Sequence, residues 1–371
     1  MPNIYELFGY PISERSPDVE RVRKQALCPF MGAICDGGGN RHQTKILLQR
    51  PGEPLATYFD PRLQTVIPGV CSISAGSDTW VVCPRRLFAA RNMTNAAPLL
   101  NYAFQDHERA ILLQTDLPRN TDIGIWAEVY IKQQVDNSEI NYYLDYVATP
   151  LVDLTLRAFL DQFHLSEVNI QREIALFLPH LKQRGYYPKE KKEAANIVMR
   201  LPSMEKPYIF EVMTASTSGS DTETGTDIRS AFRNAILGGE HESPGINKRQ
   251  VWGRMVTQLF AKTALAHAWG GSTVWIIQDE LLKNIELTTL LRTAKIEHGK
   301  DNTINLMIMQ YTDLGEYRKV IALRDIIVGD SGLDFHGDET FTDILLPKTI
   351  PPKIELARAI LRRSVDAIVR L

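Results

Sequence analysis

The chain lacks several features that define large classes of protein. No run of about 18 apolar residues occurs in its 371 residues, which argues against a membrane-spanning helix. Neither sign of charge dominates, because 42 basic residues accompany 44 acidic ones and the net charge is −2. Low-complexity tracts and internal repeats are absent, so fibrous and solenoid architectures are excluded. What is present, 44% hydrophobic and 23% charged residues, is the composition of a soluble globular protein.

The first residues also lack a targeting pattern. Met1 to Glu6 contains no basic region followed by an apolar stretch, so we expect no secretory signal and a cytoplasmic protein. The near-neutral charge does not by itself indicate a nucleic-acid partner. Local basic patches, however, can contact phosphates whatever the total charge is.

Cysteine is scarce and unevenly placed. The chain has four cysteines, Cys28, Cys35, Cys71 and Cys83, and all of them lie in its first quarter. Their spacing differs from the C-x2-C pairs of a zinc ribbon. In a cytosolic protein such a set favours a closed four-cysteine metal site, with zinc and iron equally suited to thiolates, over disulfides. Buried unligated thiols are the other alternative.

Turn signals and short apolar runs predict two domains. Residues 1–95 hold the cysteines, several glycine and proline turns, and short strands at Lys45–Leu48 and Trp80–Val82. A module this small needs a metal or a neighbouring domain to stabilise it. Residues 96–371 form the larger domain.

The larger domain alternates strands with helices. Residues 123–148 predict a hairpin of two strands, and residues 151–185 predict two helices within a helical insertion at about 151–200. Further strands are predicted at 208–213, 273–278, 304–311 and 320–328, with helices at 250–269 and 354–369. This order indicates an α/β fold, a mixed sheet flanked by helices.

Two acidic residues occur in apolar strands. Asp145 ends one strand, and Glu211 lies inside Tyr208–Met213. A carboxylate in such a position is costly to bury unless it binds a cation or pairs with a base. Two carboxylates on neighbouring strands would suit Mg²⁺, although a solvated aspartate and a salt-bridged glutamate are the simpler interpretation.

Several separated phrases resemble the NotI family of restriction endonucleases, in the same order along the chain. They are Glu6-Leu7-Phe8-Gly9, Cys28-Pro29-Phe30-Met31, Gly69-Val70-Cys71, Trp80-Val81-Val82-Cys83-Pro84, Leu144-Asp145-Tyr146, Phe210-Glu211-Val212-Met213-Thr214 with Gly219-Ser220, and Arg254 to Lys262. The likeness extends from about residue 5 to 280, and its cysteine phrases are the most specific part. The resemblance implies a PD-(D/E)XK nuclease fold with a small N-terminal four-cysteine module.

The resemblance also implies roles for individual residues. Asp145 and Glu211 would bind the catalytic Mg²⁺, and the four cysteines would bind a structural metal, iron in that family. Met213 stands where the family has glutamine and the superfamily lysine, and a thioether cannot replace either. Either a neighbour supplies the missing group, this copy is slow or inactive, or the register of the resemblance is different. In the first case the group would come from Gln258 or Lys262, one turn apart on the next predicted helix; the alternative for both is an ordinary position on the helix surface.

Other polar residues are weaker candidates. Glu128 lies in a predicted strand and would be an additional carboxylate of the metal site, or one half of a cross-strand salt bridge. A basic edge around the cysteine module would contact DNA, through arginine on guanine or on phosphate, unless it is an ordinary solvated surface. Its members are Arg15, Arg41, His42, Arg85 and Arg86.

The expected function is therefore a type II restriction endonuclease. It would hydrolyse phosphodiesters of double-stranded DNA at a short palindrome, with Mg²⁺ and without a nucleotide cofactor. The alternative is a DNA-binding protein that kept the nuclease fold and lost its chemistry at Met213. A homodimer is expected, since a two-fold axis presents one site to each strand. Its interface would use the helices of 151–185 or the helix at 354–369.

Overall fold

A computed structural model describes most of the chain. The described residues are 2–38, 45–90, 104–135, 138–187, 197–217, 219–247, 249–288, 304–313, 319–329 and 350–371. The predicted domain boundary at residue 95 and the candidates Arg41 and His42 lie outside these ranges. Within the described residues, no helix is both long and apolar enough to cross a membrane.

The N-terminal region consists of short strands and short helices. The strands are β1 (Asn3–Leu7), β2 (Tyr10–Pro11), β3 (Leu27–Cys28), β4 (Ala33–Ile34), β5 (Ile46–Leu47), β6 (Thr65–Val66), β7 (Val70–Ala75) and β8 (Asp78–Val81). The helices are α1 (Pro17–Lys24), a 3-10 turn (Pro54–Thr57), α2 (Pro84–Leu87) and, leading into the larger domain, α3 (Asp106–Leu113). Strands β2, β1, β7 and β8 form a sheet in that order.

The remaining elements follow along the chain. They are β9 (Asp122–Val135), β10 (Ser138–Thr155), α4 (Leu156–Asp161), α5 (Glu167–Gln183), β11 (Val198–Pro202), β12 (Tyr208–Met213), β13 (Ser216–Thr217), β14 (Ser220–Asp221), β15 (Thr226–Asp227), α6 (Ile228–Leu237), β16 (Ile246–Asn247), α7 (Arg249–Ala268), β17 (Ser272–Gln278), α8 (Asp279–Thr288), β18 (Ile304–Asp313), β19 (Lys319–Gly329), α9 (Lys353–Leu361) and β20 (Ala367–Arg370). Helix α6 among them packs in the same apolar cluster as the N-terminal region. The predicted hairpin, later strands and long helix are all present, with ends shifted by a few residues.

Most of these strands belong to one mixed sheet of eight strands. Its strand order is β19-β18-β17-β12-β10-β9-β20, and β11 pairs with β10 beside this path. Strand β17 runs parallel to both β12 and β18, while the other pairs are antiparallel. Parallel neighbours need a crossover connection, and α7 lies in the one between β12 and β17. The expected α/β architecture with a mixed sheet flanked by helices is confirmed.

Two predicted helices have different limits from those expected. Strand β10 continues to Thr155, because its residues from Leu151 onward pair with β11. The first helix therefore begins at Leu156 and not at Leu151. The last helix ends at Leu361, and Ala367–Arg370 instead pairs with β9 at the sheet edge. In both cases a strand partner distant in sequence overrides the local helical pattern.

A buried polar network joins the N-terminal region to the main sheet. Glu6 of β1 forms a two-pronged ion pair with Arg86, at 3.1 Å between Oε1 and Nη2. Its other oxygen accepts hydrogen bonds from the hydroxyls of Ser72 and of Tyr311 in β18, at 2.9 and 2.7 Å. Both charged residues are buried, so the network fixes how the N-terminal sheet lies against β18.

Candidate active site

Asp145 and Glu211 are neighbours on adjacent strands. Tyr146 of β10 pairs with Phe210 of β12, which brings the two acids side by side. The amide of Asp145 donates to Glu211 Oε1 at 3.3 Å, and the amide of Val212 donates to Asp145 Oδ2 at 2.9 Å. Each carboxylate is thus held by the backbone of the opposite strand. The sequence analysis predicted this pair, and the geometry brings it together.

Lys262 completes the pair from helix α7. Its ammonium donates to Glu211 Oε2, and both side chains are buried. The pKa of Glu211 is raised to about 8, because burial and, next, the nearby charge of Asp145 raise it by more than Lys262 lowers it. Lys262 and Gln258 were the two residues predicted to replace the side chain that Met213 lacks, and of these Lys262 contacts Glu211. Gln258 lies one turn away and lines the cleft.

Met213 has an apolar environment. It lies two residues after Glu211 in β12 and packs in a cluster with Trp80, Val251 and Trp275. A thioether among these side chains has no charge and no hydrogen to donate to a phosphate oxygen. The side-chain nitrogen beside Glu211 comes instead from a helix 51 residues further along the chain.

A cleft of about 260 Å³ is lined by Asp145 of the acidic pair, whereas Glu211 and Lys262 are buried and are not among its lining residues. The N-terminal region contributes one wall, and β9, β10, β12 and α7 contribute the rest. The polar residues of its lining include Arg85, Glu128, Asp145, Arg254 and Gln258. A cleft with carboxylates, a buried lysine next to them, and basic residues at its walls has the chemistry to bind a cation and a phosphate together.

Arg85 faces this cleft from the end of the cysteine region. Its Nη1 donates to the hydroxyl of Tyr146 at 2.9 Å, and its Nη2 donates to Glu128 Oε1 at 2.9 Å and to Asp36 Oδ2 at 3.5 Å. The guanidinium is buried, so the expectation that Arg85 lies on an exposed basic edge was wrong. Tyr146 and Asp36 were missed, although Tyr146 directly follows Asp145 in the sequence.

The remaining basic candidates do not form one surface. Arg86 is buried in the ion pair with Glu6, and its guanidinium lies over the rings of Phe30 and Tyr311 at 5.2 and 5.4 Å. It is therefore part of the protein interior and not of an exposed edge. Arg15 is exposed and pairs with Glu20.

Glu128 contacts Arg85 rather than the other two acids. Lys132 of the same strand forms a cross-strand salt bridge with Glu139 of β10 at 3.0 Å, as predicted for such side chains, whereas Glu128 pairs with Arg85 at 2.9 Å. Among the described residues, no three His, Cys, Asp or Glu side chains converge as the ligands of one metal ion would. Mg²⁺, however, commonly uses one or two carboxylates with waters and substrate phosphates, so Asp145 and Glu211 fit its requirements.

The four cysteines lie in one apolar cluster as free, buried thiols. The disulfide alternative is therefore not what the structure contains. The thiols of Cys71 and Cys83 lie close enough to shift each other's pKa, and Cys83 also raises the pKa of Cys28 and of Cys35. These sulfurs do not have the converged arrangement of a closed tetrahedral site. Four thiolates are soft donors that suit zinc or iron, so the residue types fit such a metal while their present arrangement does not.

A backbone amide points at one of these sulfurs. The amide of Gly9 donates to the sulfur of Cys71 at 3.2 Å, whereas that of Met31 donates to the carbonyl oxygen of Cys28. Burial is the main cause that raises the pKa of the Cys28 thiol to about 12, and burial likewise raises the pKa of Cys35. These surroundings favour the neutral thiol, so binding of a metal would have to displace the thiol protons.

The comparisons with known proteins add no family assignment. No protein-family model matches this chain, and no curated protein sequence matches it significantly. The functional argument therefore depends on the geometry of the cleft and on the residues that line it.

Proposed function

We propose that this chain is a Mg²⁺-dependent endonuclease that hydrolyses phosphodiesters of double-stranded DNA. The observation that carries the proposal is the contact of Lys262 with Glu211 beside Asp145, on adjacent strands at the cleft. It provides two carboxylates and one ammonium in place of the group that Met213 lacks. This favours an active enzyme over a DNA-binding protein that has lost its chemistry.

Each residue has a separate role in this proposal. Asp145 and Glu211 would hold the cation, which when bound supplies Lewis-acid polarisation of the phosphodiester. Lys262 would place its positive charge next to the phosphorus, where negative charge develops as a water oxygen attacks. The new bond joins that oxygen to phosphorus, the bond to the 3′ oxygen breaks, and a proton ends on the departing oxygen.

The finer assignment rests on the sequence resemblance. We infer a type II restriction endonuclease of PD-(D/E)XK type, with zinc or iron at the four cysteines as a structural metal. Cutting both strands of a palindrome requires one site for each strand, so we infer that the active form is a homodimer. The mixed sheet, the paired acids on neighbouring strands and the gathered thiols all support this assignment.

Incubation of the purified protein with supercoiled plasmid DNA tests the proposal. We expect discrete linear fragments in Mg²⁺, none in EDTA, and none with the Glu211→Gln variant. Retarded but uncut plasmid, in Mg²⁺ and in Mn²⁺, would instead identify a DNA-binding protein without activity. The Glu139→Gln variant, altered in an exposed pair on the same hairpin, should cut like the wild type.

A further inference from the structure

Glu128 has a backbone conformation that is costly for a residue with a side chain. Its φ is +52° in the interior of β9, in the left-handed region that favours glycine. The conformation is fixed from both sides by the segment that follows α9. Asp366 accepts a hydrogen bond from the amide of Ala127 at 2.8 Å, and Arg363 donates to the carbonyl of Glu128 at 3.2 Å. Strain that the surroundings enforce in this way is typical of functional sites.

The strain changes the direction of the side chain. Trp126 and Val129 of β9 lie in the same core cluster although they are three residues apart, so the normal alternation of faces is interrupted at Glu128. Leu144 and Val147 show the same interruption in β10, around Asp145. Irregularities of this kind re-aim side chains next to active sites. Here the carboxylate of Glu128 meets Arg85 at the cleft.

The two side chains of the Arg85–Glu128 ion pair differ in their exposure to solvent. The side chain of Arg85 is 7% exposed, whereas that of Glu128 is 64% exposed. Tyr146 and Asp36 hold the guanidinium in place independently of Glu128. An incoming anion can therefore replace the Glu128 carboxylate without displacing Arg85. A phosphodiester oxygen is the natural competitor, because guanidinium groups bind carboxylate and phosphate with the same planar geometry.

We propose that Glu128 occupies, in the free protein, the place on Arg85 that a phosphate of bound DNA takes. This inference rests on the proposed function and deepens it. Arg85 becomes a substrate-binding residue of the cleft, and Glu128 becomes a residue that lowers the affinity for DNA until a phosphate displaces it. The fixed backbone keeps the carboxylate near the cleft after the exchange.

Binding of a short fluorescein-labelled duplex, measured by anisotropy in EDTA, tests the exchange. The Glu128→Gln variant removes the charge that competes with phosphate. It should bind the duplex about fivefold more tightly than the wild type, the size expected for the loss of one ion pair whose carboxylate is exposed. Glu139→Gln is the matched control, since it removes the same charge from the same hairpin and leaves Arg85 paired. Its affinity should change by less than about twofold.

Introducing Arg85→Met into the wild type and into the Glu128→Gln variant completes the test. The gain from Glu128→Gln should disappear in that background, with folding checked by thermal melting. If the Arg85→Met proteins do not fold, the comparison of Glu128→Gln with Glu139→Gln decides alone. Equal gains in those two variants would overturn the proposal, because they would show a general effect of charge. A loss of affinity for Glu128→Gln, seen only in Ca²⁺, would also overturn it and make Glu128 a cation ligand.

Failure of this inference is distinguishable from failure of the proposed function. A wild-type protein that cuts plasmid while Glu128→Gln shows no gain refutes only the exchange at Arg85. A protein that shows the gain in EDTA but never cuts in Mg²⁺ or Mn²⁺ refutes the nuclease and leaves the exchange standing.

Discussion

Replacement of Lys262 by methionine removes the ammonium through which α7 contacts Glu211 of the acidic pair. Methionine keeps the length and apolar stem of lysine and removes its charge. Glu211 then lies buried beside Asp145 without the ammonium that Lys262 supplies. The variant therefore tests two consequences of the same contact, one for catalysis and one for stability.

The structure sets the size of both effects. Loss of a preorganised charge that stabilises a transition state costs about 10² to 10³ in kcat. Breaking a buried ion pair by removing one partner costs about 3–5 kcal/mol when the remaining group stays charged. The pKa of Glu211 is about 8 with Lys262 in place, and removal of the ammonium raises it further. At pH 6 this carboxyl binds a proton in both proteins, whereas at pH 9 it is ionised in the wild type and costly to ionise in the variant. The loss of stability should therefore be large at pH 9 and small at pH 6.

Plasmid cleavage in Mg²⁺ and urea unfolding in EDTA, at both pH values, measure the two effects. Lys206→Met, which removes the same charge from an exposed pair with Asp116, is the control and should change each by much less. Duplex binding in Ca²⁺ should be retained by Lys262→Met. Cleavage within about threefold of the wild-type rate would refute the catalytic role of Lys262. Equal destabilisation at pH 6 and pH 9 would refute the reasoning about its ion pair.

Three further predictions concern single side chains. Glu6→Gln leaves Arg86 buried without its counter-charge and should lower the free energy of unfolding by about 3 kcal/mol, measured in urea; the Glu139→Gln variant, which removes the same charge from an exposed ion pair, should lower it by less than about 1 kcal/mol. The pKa of Glu211 in the folded protein exceeds its ordinary value of 4.5, so the wild type in EDTA should lose stability as the pH rises from about 4.5 to about 8. Thermal melting should show this loss in the wild type and not in Glu211→Gln. Cys28→Ser should aggregate and lose bound metal in elemental analysis, and a soluble, folded variant without metal would contradict a structural metal site.

Local patterns in the sequence were sufficient for many features of the fold. Alternation of apolar and polar residues predicted the hairpin of β9 and β10, and the apolar run at Tyr208–Met213 predicted β12. Asp145 and Glu211 were recognisable because charged residues in such strands are unusual. These signals are readable because the two-residue period of a strand is a property of neighbouring residues.

Contacts between segments distant in the sequence explain the predictions that were wrong. The helical pattern at Leu151 gave way to strand because β11 supplies backbone partners there, and Ala367–Arg370 became an edge strand on β9 for the same reason. The basic edge was misjudged because charge alone does not show whether an arginine faces solvent. Arg85 and Arg86 are buried by partners that lie elsewhere in the sequence.

The sequence by itself determined which residue types are available: four thiols, two strand acids, and a methionine where a catalytic amide or ammonium was expected. It left Gln258 and Lys262 as equal candidates to replace that group. Only the tertiary structure shows which of the two contacts Glu211. Helix α7 lies in the connection from β12 to β17 and places Lys262 next to that carboxylate. A contact between residues 51 positions apart depends on how a helix packs against a sheet, and no local pattern of residues specifies that packing.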